Sequence, residues 1–129
     1  MTDLQRGSAS VAVAFLTGVV GAALLALGSL VALYGARIQV ATAADAAALA
    51  AAVATYPPAG AGDPLEEAAR FAASNGASIE ECRCPVDVTM SVRVVEVFVV
   101  RKVTVPLFGE MSVRAGARAE FDPAAWLNG

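Results

Sequence analysis

Apolar residues form a continuous run near the start of the chain, and residues 7–36 contain no charged side chain. At about 1.5 Å rise per residue, a helix over this run is about 45 Å long, whereas the hydrocarbon core of a bilayer is about 30 Å thick. We therefore predict a polar leader (residues 1–6) and a membrane-spanning helix (residues 7–36). A cleavable signal peptide is the alternative, but its apolar region is typically about 7 to 15 residues, which favours a retained anchor.

The segment after the apolar run is rich in alanine, the best helix former, and residues 37–56 contain neither glycine nor proline. We therefore expect the helix to continue beyond the membrane as an extension over residues 37–56. Its larger apolar residues are expected to form a stripe against a folded domain or a neighbouring chain: Ile38, Leu49, Val53 and Tyr56. Prolines and glycines then predict a loop over residues 57–62.

Residues 63–122 predict a small α+β head. Asp63 is placed to cap a short helix with Pro64 at its first position and Glu66 in its first turn, and Asn75-Gly76 ends it. Strict alternation over residues 86–94 predicts a half-buried strand with its valines and Met90 facing the core and Arg93 on the polar face.

The pattern loses its phase over residues 94–106, which predicts either one strand with a bulge or a tight hairpin. Gly109 marks a turn, and alternation over residues 113–120 predicts a further strand with small residues inside. The expected head is a short helix packed on about three antiparallel strands. Residues 123–129 form a tail in which Trp126 is the candidate docking residue.

Small residues recur every seventh position of the predicted anchor and fall nearly on one face: Ala14, Gly21, Gly28 and Gly35. Such a face lets another helix approach closely, although small residues are also common in membrane helices generally. Asp45 is the lone charge in the alanine-rich extension after Arg37. It is either a solubilising residue or the partner of an arginine, such as Arg37, in an adjacent copy.

Charge excludes one class of function. The net charge is −3, and the part after Arg37 is more acidic still, whereas binding to a phosphate backbone needs a basic stripe. We therefore expect no nucleic-acid partner. Arg6 and Arg37 flank the anchor on opposite sides, so the positive-inside rule does not set its orientation.

Most catalytic templates lack their residues in this chain. The sequence contains no histidine, which is the usual general base and the commonest metal ligand. Adjacent carboxylates such as Glu66-Glu67 point in different directions on a helix or strand, and no glycine-rich phosphate loop is present. A non-enzymatic protein without cofactor or metal is expected.

Cys82 and Cys84 are separated by one residue. Three fates are open for them: buried reduced thiols, a strained local disulfide, or a bridge to another chain. A structural role is favoured over redox catalysis because Glu80 and Glu81 precede the pair, whereas exchange sites usually lie in positive surroundings. The pair weakly favours an oxidising exterior.

Arg6-Gly7-Ser8 opens the apolar segment, and a motif of spaced residues spans the boundary between the anchor and its extension. The motif consists of Tyr34, Arg37, Gln39, Ala44, Asp45 and Leu49. Over about residues 6 to 52 the chain resembles the TadE/TadG-like proteins of the Tad (Flp) pilus assembly system, with the actinobacterial TadE-like branch as the closer relative.

This resemblance implies a minor pseudopilin with a pilin-like, lollipop-shaped fold, inserted once in the cell membrane with its head outside the cytoplasm. It implies membrane lipid, other pilus or secretion-system subunits and further copies of the chain as partners, and a prepilin peptidase that cuts between Gly7 and Ser8. Ala12 stands where many members have a glutamate, which weakens the case for processing. The alternative from another class is a stand-alone, membrane-tethered binding or adhesion module.

Overall fold

A single helix, α1 (Thr2–Ala54), makes up 53 residues of the chain. The computed structural model describes residues 2–129, with side chains from residue 7 onward, so the side chains of the predicted leader lie outside the described residues. After α1 come a single 3-10 turn (Pro57–Ala59), α2 (Pro64–Ser74), β1 (Ser78–Arg83), β2 (Arg93–Val105), β3 (Gly109–Phe121) and α3 (Pro123–Asn128). The fold is α+β, with a long apolar helix, a three-stranded antiparallel sheet and short helices.

Helix α1 crosses the predicted boundary at residue 36 without a break, since no proline interrupts it. It ends at Ala54, close to the predicted end of the extension at residue 56. The residue before a proline is pushed out of the helical region, and Tyr56, which precedes Pro57, is extended with φ −107° and ψ 96°.

Helix α2 confirms the predicted cap. The Asp63 carboxylate accepts the backbone N–H groups of Leu65 at 3.0 Å and Glu66 at 3.1 Å, and Pro64 is the first helical residue. Asn75 ends the helix, and Gly76 follows with φ +74°, a conformation that glycine adopts without steric cost. Its alanines Ala68 and Ala72 are buried in the core shared with α1.

The sheet has the order β1-β2-β3, with both neighbouring pairs antiparallel. Pairing between β2 and β3 is continuous from Arg93 opposite Phe121 to Val105 opposite Gly109. The open question over residues 94–106 is thereby answered: they belong to one long strand and its turn. The irregularity lies in β1 instead, between Ile79 and Glu81.

The predicted strand over residues 86–94 is wrong. Residues 84–92 form a loop, and the side chains expected in the core are exposed, with Val86 at 58%, Val88 at 69% and Met90 at 53%. The first strand is β1, which was not predicted. Arg93, expected on the polar face, is only 6% exposed. Backbone groups of this loop bond to side chains instead of a ladder, an alternative that short polar residues offer.

The core lies between the alanines of α1 and the valines of β2. Methyl side chains let the sheet approach the helix closely, and the fully buried valines fill the space between them. The predicted stripe is wrong for Ile38 and Leu49, which are 52% and 64% exposed. The central buried residues are Val40, Ala43, Ala44, Ala47, Ala48, Ala51, Val95, Val97 and Val99.

The predicted tail contains a short helix, α3. The Asp122 carboxylate caps it by accepting the N–H groups of Ala124 at 2.9 Å and Ala125 at 3.3 Å. Trp126 is half exposed, and its ring lies 6.4 Å from that of Phe121. The tail is therefore attached to the end of β3.

Candidate membrane-spanning and docking surfaces

Strand β2 runs back along α1, from the end of the helix towards its middle. At one end the Arg93 guanidinium donates to the Thr55 carbonyl, midway Arg101 donates to Gln39, and at the other end Ser29 donates to the Pro106 carbonyl. The helix from Ser29 to Thr55 measures about 39 Å. A strand of 13 residues has nearly the same length, about 40 Å. The head therefore covers α1 as far as Ser29.

The other part of α1 is bare, since every side chain from residue 7 to residue 28 is exposed. This bare segment is about 33 Å long, close to the roughly 30 Å of a hydrocarbon core. Within the described residues, one helix is long and apolar enough to cross a membrane. Ser29 ends the bare segment: it is only 4% exposed, and its Oγ lies 2.9 Å from both the Leu25 and Pro106 carbonyls.

The predicted packing face is open where it lies on the bare segment. No atom lies within 4 Å of the position that a Cβ would take on Gly21, Gly28 or Gly35, outside their own helical surroundings. Ala14 is exposed, and Gly35 is half-buried beside the head. Gly7 and Ser8, the predicted processing position, lie at the start of the bare segment, and both are exposed.

The motif residues divide between two sides of the helix. Tyr34, Arg37, Asp45 and Leu49 are exposed, whereas Ala44 is fully buried against the sheet. Gln39 accepts a hydrogen bond from Arg101 and so joins helix to strand. Part of the motif thus supports the fold, and part of it faces outward.

A cleft lies beside the outward motif residues. Asp45 and Leu49 line it from the helix, and Arg118 and Glu120 line it from β3. Strand β3 is at the edge of the sheet, where backbone groups are available to a further strand. The exposed side of α1 and an open sheet edge are therefore adjacent.

Arg93 links the head to the end of α1 near Thr55, a role that was not predicted. Its guanidinium donates to the carbonyls of Thr55 at 3.3 Å, of Ser91 at 2.9 Å, and of Asp87 and Thr89, and it lies 5.5 Å from the centre of the Tyr56 ring. The loop over residues 84–92 is thereby held against the end of α1.

The same loop is ordered by the Asp87 carboxylate. It accepts the Thr89 N–H at 2.9 Å, the Thr89 hydroxyl at 2.8 Å and the Ser91 hydroxyl at 3.1 Å. These bonds, the Thr89 N–H foremost, together with the charge of Arg93, lower the pKa of Asp87. The spacing Asp-x-Thr-x-Ser is typical of such a side-chain turn, and it was the available signal for a loop here.

The outer face of the sheet is charged. Arg83 pairs with Glu81 at 2.7 Å and with Glu96 at 3.2 Å, contacts that raise its pKa, the Glu81 hydrogen bond most. Phe98 lies across Gly116, where an added Cβ would be 2.7 Å from the ring. Exposed ion pairs add little to the stability of the fold, so we interpret this face as a solvent-exposed surface.

Cys82 and Cys84 are joined by a disulfide, and both pack partly buried against the core. In the part of the chain that the structure describes, no group of three or more His, Cys, Asp or Glu side chains is arranged to hold a metal ion.

Comparison with known protein families, curated proteins and solved structures finds no match for this chain.

Proposed function

We propose that this protein is a non-enzymatic, single-pass membrane component of a Tad/Flp-type pilus or a related secretion apparatus, acting as a minor pseudopilin or assembly component. One observation carries the proposal: α1 is bare over about one bilayer thickness and bears a small antiparallel sheet along the rest of its length. That division suits a pilin-like subunit, with the helix in the membrane and the head outside the cytoplasm.

Helix packing is the first of its two contacts. Lipid tails are as apolar as leucine, so helices in a bilayer associate through close packing at small residues. The face formed by Ala14, Gly21 and Gly28 is exposed and leaves room for a second backbone to approach. The helix of another subunit, or of another copy, is the occupant we propose.

The outward part of the motif is the second contact. Tyr34, Arg37, Asp45 and Leu49 are exposed. Arg37, Asp45 and Leu49 also line clefts with residues of the edge strand β3. The head does not bury these side chains, so a neighbouring subunit can contact them. The Cys82–Cys84 disulfide is compatible with an oxidising space outside the cytoplasm.

Co-purification from the native membrane tests the packing step. The variant Gly21→Leu/Gly28→Leu is expected to lose pilus or secretion subunits, because leucines hold the second helix away. The matched control is Ala23→Leu/Ala26→Leu, which adds similar bulk to another side of the same bare segment. Complexes that survive in the glycine variant would refute the packing face.

The residue at which the mature chain starts distinguishes a filament subunit from a component of the assembly platform. Intact mass and N-terminal sequencing of the protein from its membrane are expected to give Ser8 if a prepilin peptidase processes it, which supports incorporation into a filament. A start upstream of Gly7 assigns it to the assembly platform. Localisation and binding that persist after deletion of the pilus genes would instead favour the tethered module.

A further inference from the structure

The β2–β3 hairpin ends in a three-residue apolar tip, Pro106, Leu107 and Phe108, beside the bare segment of α1. We propose that this tip is a second membrane contact, which dips into the boundary between headgroups and acyl chains next to the span. The proposal rests on the single-pass arrangement above and names the part of the head that touches lipid.

The depth of the tip is set by a hydrogen bond. Ser29 Oγ donates to the Pro106 carbonyl at 2.9 Å, and Ser29 lies inside the charge-free run over residues 7–36. The first charge beyond it on the helix, Arg37, is about 12 Å further along the axis. When the bare segment fills the hydrocarbon core, the tip lies where that core ends.

The side chains at the tip suit lipid. Leu107 is 73% exposed and Phe108 is 69% exposed, and Met111 on the following strand is 41% exposed. Leucine and phenylalanine are the residues that interfacial segments place at the boundary between headgroups and acyl chains. Because the tip touches the span itself, the lipid around the span reaches these side chains without any further component.

Part of the tip's backbone is hydrogen-bonded within the protein. Unpaired backbone groups are costly in lipid. Pro106 has no N–H, and its carbonyl is bonded to Ser29. The Phe108 N–H donates to the Val105 carbonyl at 3.1 Å.

Leu107 occupies a conformation that disfavours leucine. Its φ is +70°, in the left-handed region, where glycine or asparagine costs least, and nearby Gly109 has φ +77°. A turn that only reverses the chain would be cheaper with glycine at this position. A contact between its exposed side chain and lipid, which we assign here, accounts for the leucine.

Charges around the tip fit a headgroup layer. Arg37 and Arg114 line one cleft next to Met111, on the side away from the bare segment, and long cationic side chains reach towards lipid phosphates. Glu110, the carboxylate nearest the tip in sequence, pairs with Lys102 at 3.3 Å. Its charge is thereby offset where an unpaired carboxylate would oppose insertion.

Depth-dependent fluorescence quenching tests the proposal on the full chain in vesicles of brominated phospholipids. In a Trp126→Phe background, Phe108→Trp places the only tryptophan at the tip. Val88→Trp is the matched control, because Val88 is also 69% exposed but lies next to Asp87, whose N–H bonds to Thr55 at the far end of the covered helix. Leu16→Trp marks the middle of the bare segment.

Shallow acyl-chain bromines are expected to remove most of the fluorescence of Phe108→Trp and little of that of Val88→Trp. Adding Leu107→Gly, which the positive φ accepts, is expected to reduce the quenching at position 108. Equal quenching at positions 108 and 88 would overturn the proposal. If Leu16→Trp is quenched and Phe108→Trp is not, the tip faces water or a protein partner, whereas an unquenched Leu16→Trp contradicts the single-pass arrangement itself.

Discussion

The two parts of α1 differ in what surrounds them and in what their side chains are. The bare segment, residues 7–28, carries exposed valine, leucine and phenylalanine on every side except the face of Ala14, Gly21 and Gly28. The covered segment, from Ser29 to Ala54, turns a side of small residues towards the sheet and leaves Ile38 and Leu49 outside. One continuous helix thus carries two different surfaces.

This difference shows that side-chain size, more than hydrophobicity, decides which part of the helix binds the head. Alanine buries little area, but it lets a strand and a second helix come close enough to bury the valines of β2. The bare segment has large side chains on most of its surface, which suits lipid tails that adapt to it, and small residues only on the face of Ala14, Gly21 and Gly28. Substitutions in the helix, and in the head that covers one part of it, test this difference.

The largest effect is expected where the head is fastened to the end of the covered segment. Arg93→Ala removes the donor to the carbonyls of Asp87, Thr89 and Ser91 and should lower the free energy of unfolding by about 3 kcal/mol or more. The Thr55 carbonyl keeps only the Asp87 N–H as its donor. The measurement is urea unfolding in detergent, followed by Trp126 fluorescence. Arg101→Ala is the control, since Arg101 is half exposed and bonds to Gln39, and should cost about 1 kcal/mol or less. Equal losses would refute the special role of Arg93.

A smaller effect separates the buried side of the covered segment from every other side of α1. Ala47→Leu forces bulk into the buried core between α1 and the head and should destabilise the head by about 1–3 kcal/mol. Ala41→Leu, exposed on the same segment, and Gly28→Leu, on the bare segment, should each stay within about 0.5 kcal/mol. The same urea titration measures all three variants, and a tolerated Ala47→Leu would mean that the close approach of the sheet is not required.

Local signals were enough to predict α1 and α2, although not the short helix α3 in the expected tail. The charge-free run, the alanine-rich continuation and the Asp63-Pro64 start each specify the backbone within a few residues, and the structure agrees with them. Residues 86–94 show the limit of such signals. Alternation there fits a strand as well as a loop, and the choice is made by Arg93 through a contact with Thr55, 38 residues away in sequence.

The candidate surfaces were predictable in position but not in orientation. Spacing placed Gly21 and Gly28 on one side of the anchor, and the motif was visible from Tyr34 to Leu49. Which motif residues face the sheet depends on how β2 lies along α1, and so does the contact of Pro106 with Ser29 inside the apolar run. Neither contact is encoded by nearby residues, because each joins elements far apart in the chain.

The smallest predicted effect is a pH dependence of stability, and it concerns the loop over residues 84–92. The pKa of Asp87 is lowered in the folded state below the ordinary aspartate value of 3.8, so its bonds to Thr89 and Ser91 add stability above that value. That stability is lost as pH falls below this value and through the lower folded pKa. Asp87→Asn keeps an oxygen for the Thr89 N–H but does not titrate. As pH is lowered through this range, the urea concentration at its unfolding midpoint should therefore fall less than that of the unchanged chain. Parallel pH curves for the two proteins would show that the carboxylate does not hold the loop.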